Sequence, residues 1–140
     1  MVLGSNIFLM GKSFGGAVAA YMISQLSSKE GVAANIFFKG LILESAFTSM
    51  TDVIKEKVGK WVPDTLINDN TWPTINRISP SSVKVKTLII HGANDTLVSE
   101  SHAHALRCKL PEAELLLVPG AGHNQLWEHP SYYETIRRFI

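Results

Sequence analysis

One serine, one aspartate and one histidine stand where nucleophilic catalysis would need them. Ser13 is the centre of Gly11-Lys12-Ser13-Phe14-Gly15, a G-x-S-x-G pattern. An apolar run, Ile7–Met10, precedes it, and small residues (Gly16, Ala17, Ala19, Ala20) follow. A serine hydroxyl is a weak nucleophile until a base takes its proton, and that base needs a group to orient it. Downstream, Asp95 lies in His91-Gly92-Ala93-Asn94-Asp95, and His123 in Pro119-Gly120-Ala121-Gly122-His123, each just past an apolar run. A carboxylate, an imidazole and a hydroxyl brought together would perform acyl transfer to water. Glu44, closing Gly40–Glu44, is the alternative acid, because it keeps the same chain order.

These residues need a scaffold that delivers them to one edge. Asn6–Met10, Gly40–Glu44, Lys86–His91 and Glu114–Val118 read as strands that are apolar throughout. Such strands belong to a parallel sheet covered on both faces. Between and after them, Phe14–Ser28, Ser99–Lys109 and Pro130–Ile140 read as helices. The first carries Val18, Tyr21, Met22 and Leu26 and stops near Gly31; the second has Ser99 as N-cap and Ala103, Leu106 and Leu110 on one face. The third opens with Pro130 in its first turn and turns Tyr133, Ile136 and Ile140 inward. The expected class is α/β, with about four parallel strands flanked by helices. Residues 46–82 have no clean strand and contain Trp61 and Trp72; they read as a cap-like helical insertion over the strand C-termini. Open α/β sheets bind ligands at that edge. Ser13, Asp95 and His123 all follow strands, so all three are expected there.

The motif has the required setting, since it ends a strand and opens a helix. A serine at such a bend adopts a backbone angle that side chains resist, and the flanking glycines let backbone pass without a Cβ. With "LIIHGANDTLV" and "VPGAGHNQLW", the segment "GKSFGG" resembles the C-terminal half of an α/β-hydrolase-fold serine hydrolase. The similarity is greatest to the ABHD-type, bud-emergence-like branch, which includes acyl-protein depalmitoylases. It covers nearly all of this chain and about half of that family's fold. The resemblance implies a partial α/β-hydrolase fold with Ser13 as nucleophile, Asp95 as acid and His123 as base. It further implies an oxyanion donor at the backbone N–H of Phe14, no cofactor, and an acyl ester, thioester, lipid or acylated-protein substrate. Phe47, Met50, Trp61 and Trp72 are the candidate acyl pocket.

The family's second oxyanion donor lies in a His-Gly-type loop upstream of the nucleophile. The one His-Gly here, His91–Gly92, is on the strand before the acid. Losing one such donor costs about 3–4 kcal/mol of transition-state stabilisation. The expectation is therefore a single, N-terminally truncated domain over residues 1–140, an enzyme by lineage. The alternative is a non-catalytic fragment or interaction module that pairs through its exposed first strand, with a partner or with a missing N-terminal half.

Other classes are disfavoured. The chain has 140 residues, is 46% hydrophobic and 18% charged, and carries a net charge of +1, so no basic footprint for nucleic acid is expected. No apolar run is long enough to cross a bilayer. Lys12 is either a solvated motif residue or a charge favouring anionic substrates. His102 and His104, two apart on a helix, point to different faces, so no metal site is expected. His91 is a packing or rim residue and His129 an exposed one. Cys108 is the only cysteine and reads as a buried helix thiol in a reducing compartment. The expected location is cytoplasmic, with any membrane association carried by a region outside this sequence.

Overall fold

Four strands with side chains apolar on both faces require helices on both faces, and the chain meets that requirement unequally. In a computed structural model, which describes residues 7–28, 38–59, 61, 63 and 72–140, the strands are β1 (Ile7–Lys12), β2 (Phe38–Glu44), β3 (Lys86–Gly92) and β4 (Glu114–Val118). They form one parallel sheet in the order β1-β2-β3-β4. The helices are α1 (Phe14–Ser28), α2 (Met50–Val58), α3 (Thr74–Arg77), α4 (Glu100–Lys109) and α5 (Pro130–Phe139), with a 3-10 turn at Leu126–Glu128. The expected strand start at Asn6, the helix stop at Gly31 and part of the 46–82 span lie outside the described residues.

Alternation along the strands divides the core in two. Leu41, Leu43 and Ile89 face α1 and α4, packing with Ala19, Ala20, Ile23, Ala103 and Leu106. Ile42, Leu88 and Ile90 face the other way, onto Leu126, Tyr132 and Phe139 of the C-terminal segment. Each such fully buried aliphatic side chain contributes about 1.5–3 kcal/mol relative to exposure. Among the described residues, the helices between strands thus cover one face, and the C-terminal segment, with Leu126 and α5, covers the other.

Several expected inward faces are different. In α1 the buried positions are Ala17, Ala19, Ala20, Ile23 and Ser24, while Tyr21 and Met22 are exposed and Leu26 is half-buried. The alanines win because small side chains let the helix lie close to the sheet. In α5 the buried residues are Tyr132, Thr135 and Phe139; Tyr133 and Ile140 are exposed, and Ile136 is half-buried. Cys108 is exposed rather than buried, on the outer side of α4. His129 is half-buried, because its Nδ1 caps α5 by accepting from Ser131 N–H. Strand β1 is an edge strand, with Ile7 and Met10 exposed, rather than a fully covered one.

Candidate active site

The nucleophile candidate is placed by backbone alone. Strand β1 ends at Lys12, α1 begins at Phe14, and Ser13 between them has φ +51°, a left-handed angle that costs a non-glycine residue on the order of 1–3 kcal/mol. Ser13 N–H donates to Glu44 C=O (2.7 Å), and Ser13 C=O accepts from Gly16 N–H (2.9 Å). A Cβ on Gly11 would sit 2.1 Å from the carbonyl oxygen of Gly15, so the turn closes only over glycine there. The partner glycine differs from the motif. A Cβ on Gly15 would meet nothing within 4 Å, whereas one on Gly16 would sit 2.8 Å from Ala46 Cβ. Close approach of helix to sheet therefore falls on Gly16, one residue beyond the pattern. Phe14 N–H is in the first turn of α1, where N–H groups lack an intrahelical acceptor and the helix dipole is positive.

The acid and base candidates are placed by hydrogen bonds. His123 Nδ1 donates to Asp95 Oδ2 at 2.7 Å. Asp95 Oδ1 accepts from Leu97 N–H and Val98 N–H, both at 2.9 Å. One oxygen thus holds the turn and the other meets the His123 ring. The bond from Nδ1 fixes the imidazole tautomer and leaves Nε2 with its lone pair. The loop bearing His123 passes directly over the end of β3: a Cβ on Gly92 would lie 2.4 Å from Ala121 C=O. Gly92 is thus the counterpart of Gly11.

Buried beside this pair is His91, 0% exposed. Its Nε2 donates to Val98 C=O (2.8 Å) and lies 3.4 Å from Asp95 Oδ2. Burial pushes this imidazole below its ordinary value, against the raising effects of the Val98 carbonyl and of Asp95. It packs behind the Asp95 carboxylate, and His91–Gly92 is the end of a strand rather than a loop.

Glu44 does not serve the His123 ring. Its carboxylate is 2.7 Å from the donating Tyr132 hydroxyl and 3.2 Å from Lys12 Nζ, and it is only 4% exposed. Both Glu44 oxygens are thus partnered, one by Tyr132 and one by Lys12. Burial first, and then the Glu44 carboxylate, pushes the Tyr132 phenol well above its ordinary value.

The structure brings Asp95 and His123 into contact, after β3 and β4, and places Ser13 at the same edge of the sheet, at the end of β1, with β2 between. Ser45, which follows Glu44, donates from Oγ to His123 C=O (3.3 Å), so the elbow and the histidine loop share one neighbour. Among the described residues the Ser13 hydroxyl itself has no hydrogen bond, and hydrogen bonds of this type often close only when substrate binds.

Three of the four pocket candidates cluster at the elbow. Phe47 packs with Ala17, Val98, Met50 and Trp72. The Phe14 ring, next to Ser13, lies 4.9 Å from Trp72 and 6.4 Å from Phe47. Arg77 sits over both Trp72 (5.3 Å) and Tyr21 (4.7 Å), fixing the outer edge of this cluster. Trp61 does not belong to it. It is 75% exposed, and its indole donates to Val58 C=O at the end of α2. Phe14 and Arg77 are the members that sequence reading missed; the position of Phe14, after the motif serine, was the available signal.

Helix α2 is tied down by polar groups. Ser49 caps it, its Oγ accepting from Asp52 N–H (3.0 Å) while donating to Asp52 Oδ2 (2.7 Å). Ser99 occupies the N-cap position of α4 but makes no side-chain cap; its hydroxyl donates to Glu56 of α2 instead (2.8 Å). His102 is buried, with Nδ1 2.8 Å from Thr48 Oγ1 and Nε2 3.2 Å from Glu56 Oε2, whereas His104 is exposed. A separate cavity of about 350 Å³, lined by Val83, Lys86, Leu110 and Ala113, opens at the start of β3 and β4, the end of the sheet away from Ser13.

Known proteins share both the sequence and the architecture. The sequence model of the serine hydrolase (FSH1) family matches residues 4–124. Alpha/beta hydrolase domain-containing protein aho-3 of Caenorhabditis elegans is 32% identical over 138 residues, which cover 96% of this chain and 36% of that protein. Human alpha/beta hydrolase domain-containing protein 17B is 40% identical over 73 residues, 51% of this chain and 24% of that one. The chain therefore spans about a third or less of the length of these relatives. Among solved structures, a truncated carbohydrate esterase from gut microbiota superposes with TM-score 0.68 at 17% identity, over 96% of this chain and 58% of that one. Rhodococcus esterase RhEst1 superposes with TM-score 0.63 at 15% identity, over 97% and 65%. At those identities the superpositions establish the fold, a partial α/β-hydrolase sheet. Taken with the family match, they place the chain: it belongs to the serine hydrolase (FSH1) family.

Proposed function

We propose that this protein hydrolyses acyl esters or thioesters through Ser13, His123 and Asp95. The observation that carries the reading is the 2.7 Å bond from His123 Nδ1 to Asp95 Oδ2, made between the loops that leave β3 and β4 at the same sheet edge as the strained elbow of Ser13. In the reaction, His123 Nε2 takes the Ser13 proton as Oγ attacks the acyl carbon. Asp95 holds the ring and stabilises its charged form. The oxyanion faces the N–H of Phe14 at the positive end of α1. The imidazolium then protonates the leaving alkoxide or thiolate, the acyl group stays on Ser13, and water activated by the same histidine releases it as the acid.

Phe14, Phe47, Met50 and Trp72 offer an apolar wall for the acyl chain, and the resemblance to acyl-protein depalmitoylases favours acylated proteins or lipids. The described part of residues 46–82 is the cap that brings most of this wall to the elbow. Among the described residues no helix is long and apolar enough to cross a membrane.

Labelling with a fluorophosphonate probe, beside a Ser13→Ala control, tests the reading. Label on the parent protein and none on the variant is the expected result; equal labelling of both, or none on the folded parent, refutes it. Turnover of p-nitrophenyl esters of increasing chain length tests the wall: Trp72→Ala should lose preference for long chains, while Trp61→Ala keeps it. A second reading rests on the β1 edge, where Ile7 and Met10 are exposed. A non-catalytic module would add a partner's strand there, and it would show no Ser13-dependent label.

A further inference from the structure

Two non-glycine residues at neighbouring strand ends share a left-handed backbone: Ser13 (φ +51°) and Ser45 (φ +46°). The first is the nucleophile candidate. Nothing in the reaction above uses the second, nor the buried carboxylate before it. Yet residues 44 and 45 touch both sides of the site. Toward the nucleophile, Glu44 C=O accepts from Ser13 N–H (2.7 Å), and the Glu44 carboxylate pairs with Lys12, the residue before Ser13 (3.2 Å). Toward the base, Ser45 Oγ donates to His123 C=O (3.3 Å). The other Glu44 oxygen accepts from Tyr132 of α5 (2.7 Å), the helix that follows the His123 loop. Ser45 N–H donates to Ile90 C=O (2.9 Å), so the dipeptide is also fixed to β3.

We propose that Glu44 and Ser45 are positioning residues that set the distance and angle between Ser13 and His123. The inference rests on the reading of those two as nucleophile and base. A carboxylate this buried is costly unless both oxygens are matched. Here the matching groups are the lysine preceding the nucleophile and the tyrosine of the helix following the base. The carboxylate therefore acts as a crossbar between the two halves of the site. The left-handed angle at Ser45 turns the chain after β2 so that its hydroxyl reaches the His123 loop. A glycine would take that angle without strain but would offer no hydroxyl.

The test compares Glu44→Gln, Ser45→Ala and Ser45→Gly with the parent protein. The readouts are the rate of fluorophosphonate labelling of Ser13, kcat and KM for a p-nitrophenyl ester, and the melting temperature. Misplacing reacting groups by an ångström or less is expected to lower kcat and the labelling rate by about 10–100-fold. KM should change little, since no substrate contact is removed. The pH midpoint of the rate should stay in place, because Asp95 still orients His123. Ser45→Gly is the decisive variant. It relieves the left-handed angle, so the melting temperature should hold or rise, yet the rate should fall with that of Ser45→Ala. A residue serving stability alone would give Ser45→Gly the parent's rate, and that result, or a rise in KM at unchanged kcat, overturns the proposal. Ser13-dependent labelling that proceeds at the parent rate in all three variants refutes the positioning role while leaving the hydrolase reading intact. Labelling that survives Ser13→Ala refutes the hydrolase reading, and the crossbar with it.

Discussion

The two sides of the site are held in different ways. Around Asp95 the hold is polar: both oxygens accept hydrogen bonds, from Leu97, Val98 and His123, and His91 lies behind them. Around Ser13 the hold is steric. Its hydroxyl is unbonded among the described residues, and what fixes it, beside the backbone bonds to Glu44 and Gly16, is a left-handed φ and the close approach of Gly11 to the backbone of Gly15. A base must keep one tautomer and one orientation, which hydrogen bonds specify well. A nucleophile must stay free to attack, so its placement has to come from the chain on either side. Within the Asp95 turn, substitutions that change polarity should therefore act most strongly, and within the Gly11–Gly15 turn substitutions that change volume.

The largest effects remove a participant. Ser13→Ala should lower kcat by about 10⁶-fold, as loss of a catalytic serine does elsewhere. Asp95→Asn keeps the shape and changes the polarity, and should cost about 10⁴-fold by permitting the wrong His123 tautomer. Measured turnover of both variants checks the order. Asp95→Asn within tenfold of the parent would mean that the His123 ring is oriented by something other than Asp95, and the polar side would lose its defining feature.

What the sequence revealed followed this division. The placement of Ser13, Asp95 and His123 at one rim was legible because each follows an apolar run, and a parallel sheet sends all such ends to one edge. Strands β2 and β3 were legible because both faces are covered, which leaves uninterrupted apolar runs such as Leu41–Leu43 and Leu88–Ile90. Helix faces were less so. In α1 the sequence offers Tyr21 and Met22 as hydrophobic anchors, but alanines and Ile23 fill the places against the strands, and Tyr21 instead meets Trp72 edge-on and lies under Arg77. The long-range contacts of Glu44 and Ser45 had no local signature. Their partners Tyr132 and His123 lie 88 and 78 residues away, and only the folded sheet brings them close.

Volume tests the steric side. Gly11→Ala places a Cβ 2.1 Å from a backbone oxygen that a flexible side chain cannot relieve. The elbow must move, at a cost of about 1–3 kcal/mol or more, and labelling of Ser13 should be largely lost. Gly15→Ala is the contrast. It has open space around the new methyl and sits inside α1. There alanine is favoured over glycine by about 1 kcal/mol, so denaturation midpoints should hold or rise and labelling should persist. Loss of labelling in Gly15→Ala, with Gly11→Ala unaffected, would reverse the assignment of which glycine closes the turn.

The smallest effect separates the two sides by their response to pH. His91 is the polar side's buried imidazole, and burial holds it below its ordinary value of 6.5. Between that lowered value and about 6.5 the unfolded chain binds a proton that the folded protein refuses, so stability rises with pH across the interval. The contribution is complete above about 6.5 and is lost as pH falls below it. His91→Gln keeps an N–H that can donate to Val98 C=O and removes the titration. Its melting temperature should be somewhat lower at pH 8, but it should fall less than the parent's between pH 7 and pH 5. No such flattening is expected from Gly15→Ala on the steric side, where the substitution removes no ionisable group. Parallel curves for His91→Gln and the parent would mean that His91 accepts its proton in the folded state, and that its burial beside Asp95 is compensated by the carboxylate it faces.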